Sequence, residues 1–79
     1  MRKSIDGEII EMDFVDSRML STVGYHQEKK ILAIEFTRGP VYVYNEVPES
    51  IYDELLKSEA PDDIFNDKIR YAFKNKRVW

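Results

Sequence analysis

Residues 31–44 read Ile-Leu-Ala-Ile-Glu-Phe-Thr-Arg-Gly-Pro-Val-Tyr-Val-Tyr, and this stretch predicts a β-hairpin. Large apolar side chains alternate with smaller or charged ones in its first half, and tyrosines alternate with valines in its last four residues. This period of two is typical of strands that bury one face. The central Thr-Arg-Gly-Pro contains turn-forming residues, so the two strands are joined by a tight loop.

The register of this hairpin depends on the length of its loop. A three-residue loop that ends in Gly39 places glycine where a positive φ is needed. It pairs Ile34 with Tyr42 and Leu32 with Tyr44 on one side of the sheet. A two-residue loop would slip the pairing by one residue and exchange the two faces. We prefer the three-residue loop because it uses the glycine, and it predicts a positive φ at Gly39.

One strand before the hairpin and two helices after it are also predicted. Residues 19–26 form the strand, in which Gly24 indicates a bulge or a close backbone approach. Pro48 begins the first helix, which carries an apolar stripe and ends near Ser58. The apolar face of the second helix is Phe65, Ile69, Ala72 and Phe73.

The predicted fold class is α+β. A three-stranded antiparallel β-meander is followed by two α-helices packed on one face, in the order β-β-β-α-α. Residues 15–79 form a single domain, since 79 residues allow only one small core. Residues 1–14 form an N-terminal arm or an extra strand, with Asp6-Gly7 as a turn signal and residues 8–14 as the strand.

Composition excludes several classes of protein. The chain has no cysteine, so disulfides, thiolate metal sites and cysteine nucleophiles are excluded. A secreted domain of this size usually carries disulfides, so we expect a cytoplasmic protein. No stretch approaches the roughly twenty apolar residues that span a bilayer, so we expect no membrane partner.

Charge is distributed unevenly along the chain. The net charge is -3, yet residues 68–79 hold five Lys/Arg and no acid. A basic end on an acidic body suits a phosphate contact, although the same cations also complement a helix C-terminal dipole. On a continuous helix Arg70, Lys74 and Arg77 share one side at i, i+4 and i+7, which makes them the candidate nucleic-acid patch.

Two aromatic features are ambiguous. Tyr42 and Tyr44 share one face of a strand, where they either stack nucleobases or fill the core beneath the helices. The preferred register favours the core, but both remain candidate nucleic-acid contacts. Trp79 either packs back onto the domain or forms an exposed protein contact.

Catalytic and metal-binding patterns have little support. His26 is either an ordinary turn histidine, which we favour, or a general base with Asp16 or Glu28. The acids near the second helix either bind a divalent cation weakly or, as we favour, cap that helix; they are Asp62, Asp63 and Asp67. We therefore expect no catalytic residue, no metal site, no cofactor and no enzymatic activity.

Residues 15–78 resemble the KTSC domain, found at the C-terminus of some lysyl-tRNA synthetases and as small bacterial and phage proteins. The matching motifs are Asp16-Ser17 with Leu20, Val23-Gly24-Tyr25, Leu32-x-Ile34-x-Phe36-x-x-Gly39-x-x-Tyr42-x-Tyr44, Val47-Pro48, Ile51-Tyr52-x-x-Leu55, Phe65-Asn66-x-x-Ile69-Arg70 and Arg77-Val78. Departures are Arg18 for a common serine, His26 for an acid, and residues 58–63 in place of Ser-x-Gly. The resemblance implies a fold and favours RNA or tRNA as a partner.

Two functional hypotheses follow. The first is a small non-enzymatic module that binds RNA or nucleotides. The second is a protein-interaction factor, for example a phage or prophage protein that binds a host or cognate protein. The sequence leaves the oligomeric state open, including a homo-oligomer.

Overall fold

The computed structural model describes residues 2–5 and 7–79, and in this part of the chain six antiparallel strands form one sheet in sequence order. The strands are β1 Arg2–Ile5, β2 Glu8–Phe14, β3 Leu20–His26, β4 Ile31–Phe36, β5 Val41–Tyr44 and β6 Asn75–Arg77. Helix α1, Glu49–Lys57, and helix α2, Pro61–Ile64, lie between β5 and β6, and α2 continues as a π-helical turn over Phe65–Ile69. The α+β class is confirmed, but the three-strand count is wrong.

The β4–β5 hairpin has the preferred register. Ile34 pairs with Tyr42 and Leu32 pairs with Tyr44. Gly39 has a φ of 114°, and its N–H donates to the Phe36 carbonyl oxygen at 2.9 Å. The three-residue loop and the positive φ at Gly39 are therefore confirmed.

Both helices pack on one face of the sheet, as predicted. The buried side chains of this first core are Leu20, Val23, Leu32, Ile34, Tyr44, Val47, Leu55, Phe65 and Ile69. Helix α1 begins one residue later than predicted, because Pro48 has an extended conformation, and it ends before Ser58. No helix in the described ranges is both long and apolar enough to cross a bilayer.

The N-terminal segment forms strands β1 and β2, which cover the opposite face of the sheet. The second core contains Ile5, Ile10, Met12, Ala33, Val41 and Val43. Gly24 allows this arrangement, since a Cβ there would lie 2.4 Å from the Glu11 carbonyl oxygen. The predicted close backbone approach at Gly24 is thus confirmed. Of the predicted Asp6-Gly7 turn, Asp6 lies outside the described residues, and Gly7 has a φ of 84°.

The C-terminal segment differs from its prediction. Phe65 and Ile69 are buried as expected, but the helix ends there and Ala72 is exposed. Residues 75–77 instead pair antiparallel with β5. The physical reason is that β5 would otherwise be an edge strand with unpaired backbone groups. The basic end of the chain is therefore a turn followed by a short strand rather than a continuous helix. The predicted helical side that joined Arg70, Lys74 and Arg77 is wrong.

Candidate nucleic-acid interface

An open groove of about 770 Å³ lies beside the β4–β5 loop, on the face of the sheet that the helices cover. Its lining residues are Arg18, Met19, Phe36, Thr37, Arg38, Pro40, Tyr42, Tyr44, Phe65, Arg70, Tyr71 and Asn75. Three are arginines and five are aromatic, and no carboxylate occurs among these described lining residues. In a chain of net charge -3, this combination gives the groove local positive charge beside aromatic rings, which is chemically suited to an anionic, ring-containing ligand. We call it the arginine–aromatic groove.

Arg18 is placed by a hydrogen-bonded clip between the loop before β3 and helix α2. The Ser17 hydroxyl donates to an Asp62 carboxylate oxygen, and that carboxylate accepts the backbone N–H groups of Arg18 and Met19 at 3.3 Å each. The Ser17 hydroxyl also accepts the backbone N–H of Leu20 at 3.0 Å. The hydrogen bond from Ser17, reinforced by the two amides, lowers the pKa of Asp62, so this group is ionised at neutral pH.

The clip corrects the predicted helix cap. Neither Asp62 nor Asp63 caps α2, because Ala60 occupies the N-cap position and Pro61 begins the helix. Asp62 is the second residue of the helix rather than its N-cap, so its side chain is available to the loop.

Arg38 is held next to Arg18 by contacts between their two loops. The Thr37 hydroxyl donates to the Arg18 carbonyl oxygen at 3.0 Å, and the Thr37 N–H donates to the Met19 carbonyl oxygen at 2.9 Å. Two arginines from distant parts of the sequence therefore share one rim of the groove.

Arg70 and Tyr71 line the groove from the end of the α2 segment. The Arg70 N–H donates to the Phe65 carbonyl oxygen at 2.9 Å, an i to i−5 bond that closes the π-helical turn. The Arg70 guanidinium lies 5.4 Å from the centre of the Tyr71 ring, within the range of a cation–π contact. The Tyr71 side chain is 86% exposed.

The floor of the groove is built from aromatic rings in edge-to-face contact. Phe36 lies 5.6 Å from Tyr42 and 5.4 Å from Phe65 between ring centres, and Tyr44 lies 5.9 Å from Phe65. Burial raises the pKa of Tyr44 to about 12. Tyr44 is therefore a core residue at the base of the floor, whereas Tyr42 and Phe36 are half-buried.

The structure brings together only some of the predicted contact residues. Tyr42, Tyr44 and Arg70 line the groove, whereas Lys74 and Arg77 do not. Arg77 pairs with Tyr42 across β5 and β6, which places it on the same face beside the groove. The binding roles of all five residues stay predictions.

Sequence reasoning missed two of the three groove arginines. Arg18 and Arg38 lie in loops, where no periodic pattern identifies a shared surface. The available signals were Arg38 at the hairpin tip and the departure from the family pattern at Arg18.

The remaining candidates lie outside the groove. His26 Nε2 is 3.2 Å from a Glu8 carboxylate oxygen, so Glu8 rather than Asp16 or Glu28 faces the histidine. Within the described ranges, no three metal-ligating side chains form a group that could hold an ion. Trp79 is 77% exposed.

Comparisons with known proteins identify one family. The model of the KTSC domain matches residues 16–73. A protein from Tsukamurella paurometabola is 35% identical over 63 residues, which cover 80% of this chain and 94% of that protein. An uncharacterized protein from Stutzerimonas stutzeri is 35% identical over 52 residues, which cover 66% of this chain and 73% of that protein.

A larger protein and a solved structure are also similar. A lysine–tRNA ligase from Nostoc punctiforme is 30% identical over 63 residues, which cover 80% of this chain and 11% of the ligase. The crystal structure of a KTSC domain protein from Yersinia pestis has a TM-score of 0.83 at 22% identity, and the match covers 89% of this chain and 99% of that chain. At this identity the structural likeness shows a shared fold.

Proposed function

Because the chain belongs to the KTSC domain family, as its motifs predict, we propose that it is a small, non-enzymatic, cytoplasmic RNA-binding module. The arginine–aromatic groove is its binding site. The observation that carries the proposal is that Arg18, Arg38 and Arg70 all line one groove with an aromatic floor. No carboxylate occurs among the described residues that line it.

The side chains of the groove suit both parts of a nucleotide. A guanidinium presents a planar fork of donors that matches phosphate oxygens, and it keeps its charge at any physiological pH. Aromatic side chains offer faces on which unpaired bases stack. The name of the Nostoc punctiforme relative, a lysine–tRNA ligase, connects a similar segment with a tRNA-dependent protein and supports RNA as the ligand.

The groove has little to support catalysis. Among its described lining residues there is no histidine, serine or carboxylate that could act as a nucleophile or general base. His26, the sole histidine of the chain, instead faces Glu8 on β2. We therefore propose a binding role that needs no cofactor.

The proposal is tested by titrating a labelled single-stranded RNA with the protein and following fluorescence anisotropy. If three arginines contact phosphates, the affinity falls with salt at a log–log slope of about -2, since each contact on a single strand contributes about -0.7. The double variant Arg38→Ala/Arg70→Ala should bind at least tenfold more weakly. Its salt dependence should become less steep, with a log–log slope of about -0.7.

The matched control removes the same charge outside the groove. Lys30 and Lys57 are exposed and do not line it, so Lys30→Ala/Lys57→Ala should bind RNA nearly as the wild type does. A further variant, Lys74→Ala, tests the predicted contact at the basic end of the chain. A loss of RNA affinity in this variant would indicate that RNA extends beyond the groove. Absence of RNA binding at about 50 mM salt, or an equal loss in the lysine control, would refute the groove as an RNA site.

An exposed indole favours protein binding as the second candidate function. Trp79 adjoins a cleft of about 400 Å³, whose other lining residues are Lys3, Ser4, Ile5, Val41 and Val78. Exposed tryptophans are enriched where proteins bind one another, so a host or cognate protein, or a second copy of the chain, would dock here. Trp79→Ala should leave RNA affinity unchanged if the groove is the RNA site. A concentration-dependent mass that Trp79→Ala abolishes would instead support a homo-oligomeric contact.

A further inference from the structure

We infer that the arginine–aromatic groove takes an unpaired nucleotide of a single strand, with its base stacked on Tyr71 above the aromatic floor, rather than a double helix. This inference rests on the proposed RNA-binding function and specifies its ligand. Three features of the groove carry it: its recessed floor, its exposed ring and the arrangement of its arginines.

The floor is recessed below charged loops. Phe36 and Tyr42 are half-buried and Tyr44 is buried, while the residues around them include Arg18 and Arg38 on two loops. In a double helix the face of each base is covered by its stacked neighbours, so it is not available to Tyr71 or to the rings of the floor. Only a base that has left its stack can enter the groove.

Tyr71 is already arranged for stacking. Its neighbour Arg70 approaches the ring at 5.4 Å, and the side chain is otherwise largely solvent-exposed, at 86%. A base on the exposed side would extend this pair into a guanidinium–ring–base stack. Stacking on an exposed ring requires no rearrangement of the core.

The arginines approach the groove from two separate parts of the fold. Arg18 and Arg38 belong to the loops tied together by Thr37, whereas Arg70 belongs to the end of the α2 segment. This arrangement fits a strand that crosses the floor, with one phosphate before the inserted base and another after it. The groove volume of about 770 Å³ lies within the range of about 300–1,000 Å³ typical of pockets for small ligands, so a short segment fills it.

The experiment compares three ligands at one salt concentration. They are a short single-stranded RNA, the same strand in a blunt duplex, and the same strand with abasic sites throughout. The intact single strand should bind about 5- to 150-fold more tightly than the abasic strand, which is the range that one stacked base contributes, and more tightly than the duplex.

The variant Tyr71→Ala separates stacking from charge. Its affinity for the intact single strand should fall about 5- to 150-fold, while its salt slope and its affinity for the abasic strand stay unchanged. Tyr71→Phe should retain the wild-type affinity, because it keeps the ring. Phe14→Ala is the matched control, since it removes an exposed aromatic ring that lies outside the groove.

The outcomes distinguish this inference from the proposed function. If duplex, abasic and intact strands bind equally, the protein still binds RNA, but the inserted base is refuted. An unchanged affinity in Tyr71→Ala would also refute it. If none of the three ligands binds, the proposed RNA-binding function fails and this inference fails with it.

Discussion

Gly24 in β3 lies against β2, and the substitution Gly24→Ala tests how closely the N-terminal hairpin approaches the sheet. An added Cβ would lie 2.4 Å from the Glu11 carbonyl oxygen, 2.5 Å from Met12 Sδ and 2.7 Å from Ile10 Cγ2. The flexible Met12 side chain can rotate away from the new methyl group. The Glu11 oxygen belongs to the backbone of β2, so this contact is relieved only if the strand itself moves.

The cost follows from comparing two responses. If β2 stays in place, overpacking costs about 1–3 kcal/mol. If β2 separates, Ile10 and Met12 are exposed, and each loses about 1.5–3 kcal/mol of burial free energy. The cheaper response decides the result, and the contact with the Glu11 backbone oxygen places its cost in the upper part of that range. We therefore expect Gly24→Ala to lower the free energy of unfolding by about 2–3 kcal/mol. A 79-residue domain has about 4–12 kcal/mol in total, so the variant stays folded at room temperature.

Equilibrium urea unfolding followed by circular dichroism measures this loss. The midpoint should fall with an unchanged m-value, and Tm should drop by about 10–20 °C. Combining Gly24→Ala with Met12→Ala should give a non-additive loss, because the two side chains share a contact. Gly39→Ala serves as a comparison for the loss of stability, because its added Cβ would meet nothing within 4 Å. Its cost comes only from placing an alanine at a φ of 114°. A change below about 0.5 kcal/mol for Gly24→Ala, the size of an ordinary surface effect, would refute the close approach.

Two further predictions concern the dependence of stability on pH. Asp62→Asn should flatten the acid limb of the stability profile, measured by urea unfolding at decreasing pH. Because hydrogen bonds, led by the one from Ser17, hold the folded pKa of Asp62 below its ordinary value of 3.8, the wild-type stabilisation is complete above pH 3.8 and is lost as the pH falls through the folded value. An unchanged acid limb in the variant would contradict the clip. At high pH, burial raises the pKa values of Tyr44 and Tyr52 from 10.0 to about 12, so their contribution to stability is lost as the pH rises from 10 to about 12. Ultraviolet titration should show two tyrosines that ionise only near pH 12, and ionisation of all five together near pH 10 would contradict their burial.

The candidate site was only partly predictable from the sequence. Tyr42, Tyr44 and Arg70 were identified as contacts, and the structure places all three in the groove. The sequence pattern, however, joins Arg70 with Lys74 and Arg77 on one side of a helix, and the helix in the structure ends before Lys74. Arg18 and Arg38 lie in two loops. The positions of these loops depend on the hydrogen bond between Ser17 and Asp62 and on the hydrogen bond from Thr37 to the Arg18 carbonyl oxygen. Side chains that meet through loops have no fixed spacing in the sequence, and no local pattern identifies them.

The sequence by itself determined the features that depend on neighbouring residues. The alternation in residues 31–44 and the glycine of its loop were sufficient for the strands, the register and the positive φ, because strand period and turn conformation are local properties. The apolar stripe of α1 was sufficient for that helix for the same reason.

Only the tertiary structure decided the two ends of the chain. The apolar spacing from Phe65 to Phe73 favours a helix. Residues 75–77 nevertheless form β6, because pairing with β5 satisfies backbone N–H and C=O groups that would be unpaired if the helix continued. Ile5 and Ile10 are buried only because the glycine in β3 lets β2 approach and the sheet curls over its second core. Both outcomes depend on contacts between residues that are distant in the sequence, and backbone pairing with a free edge outweighs a weak local preference.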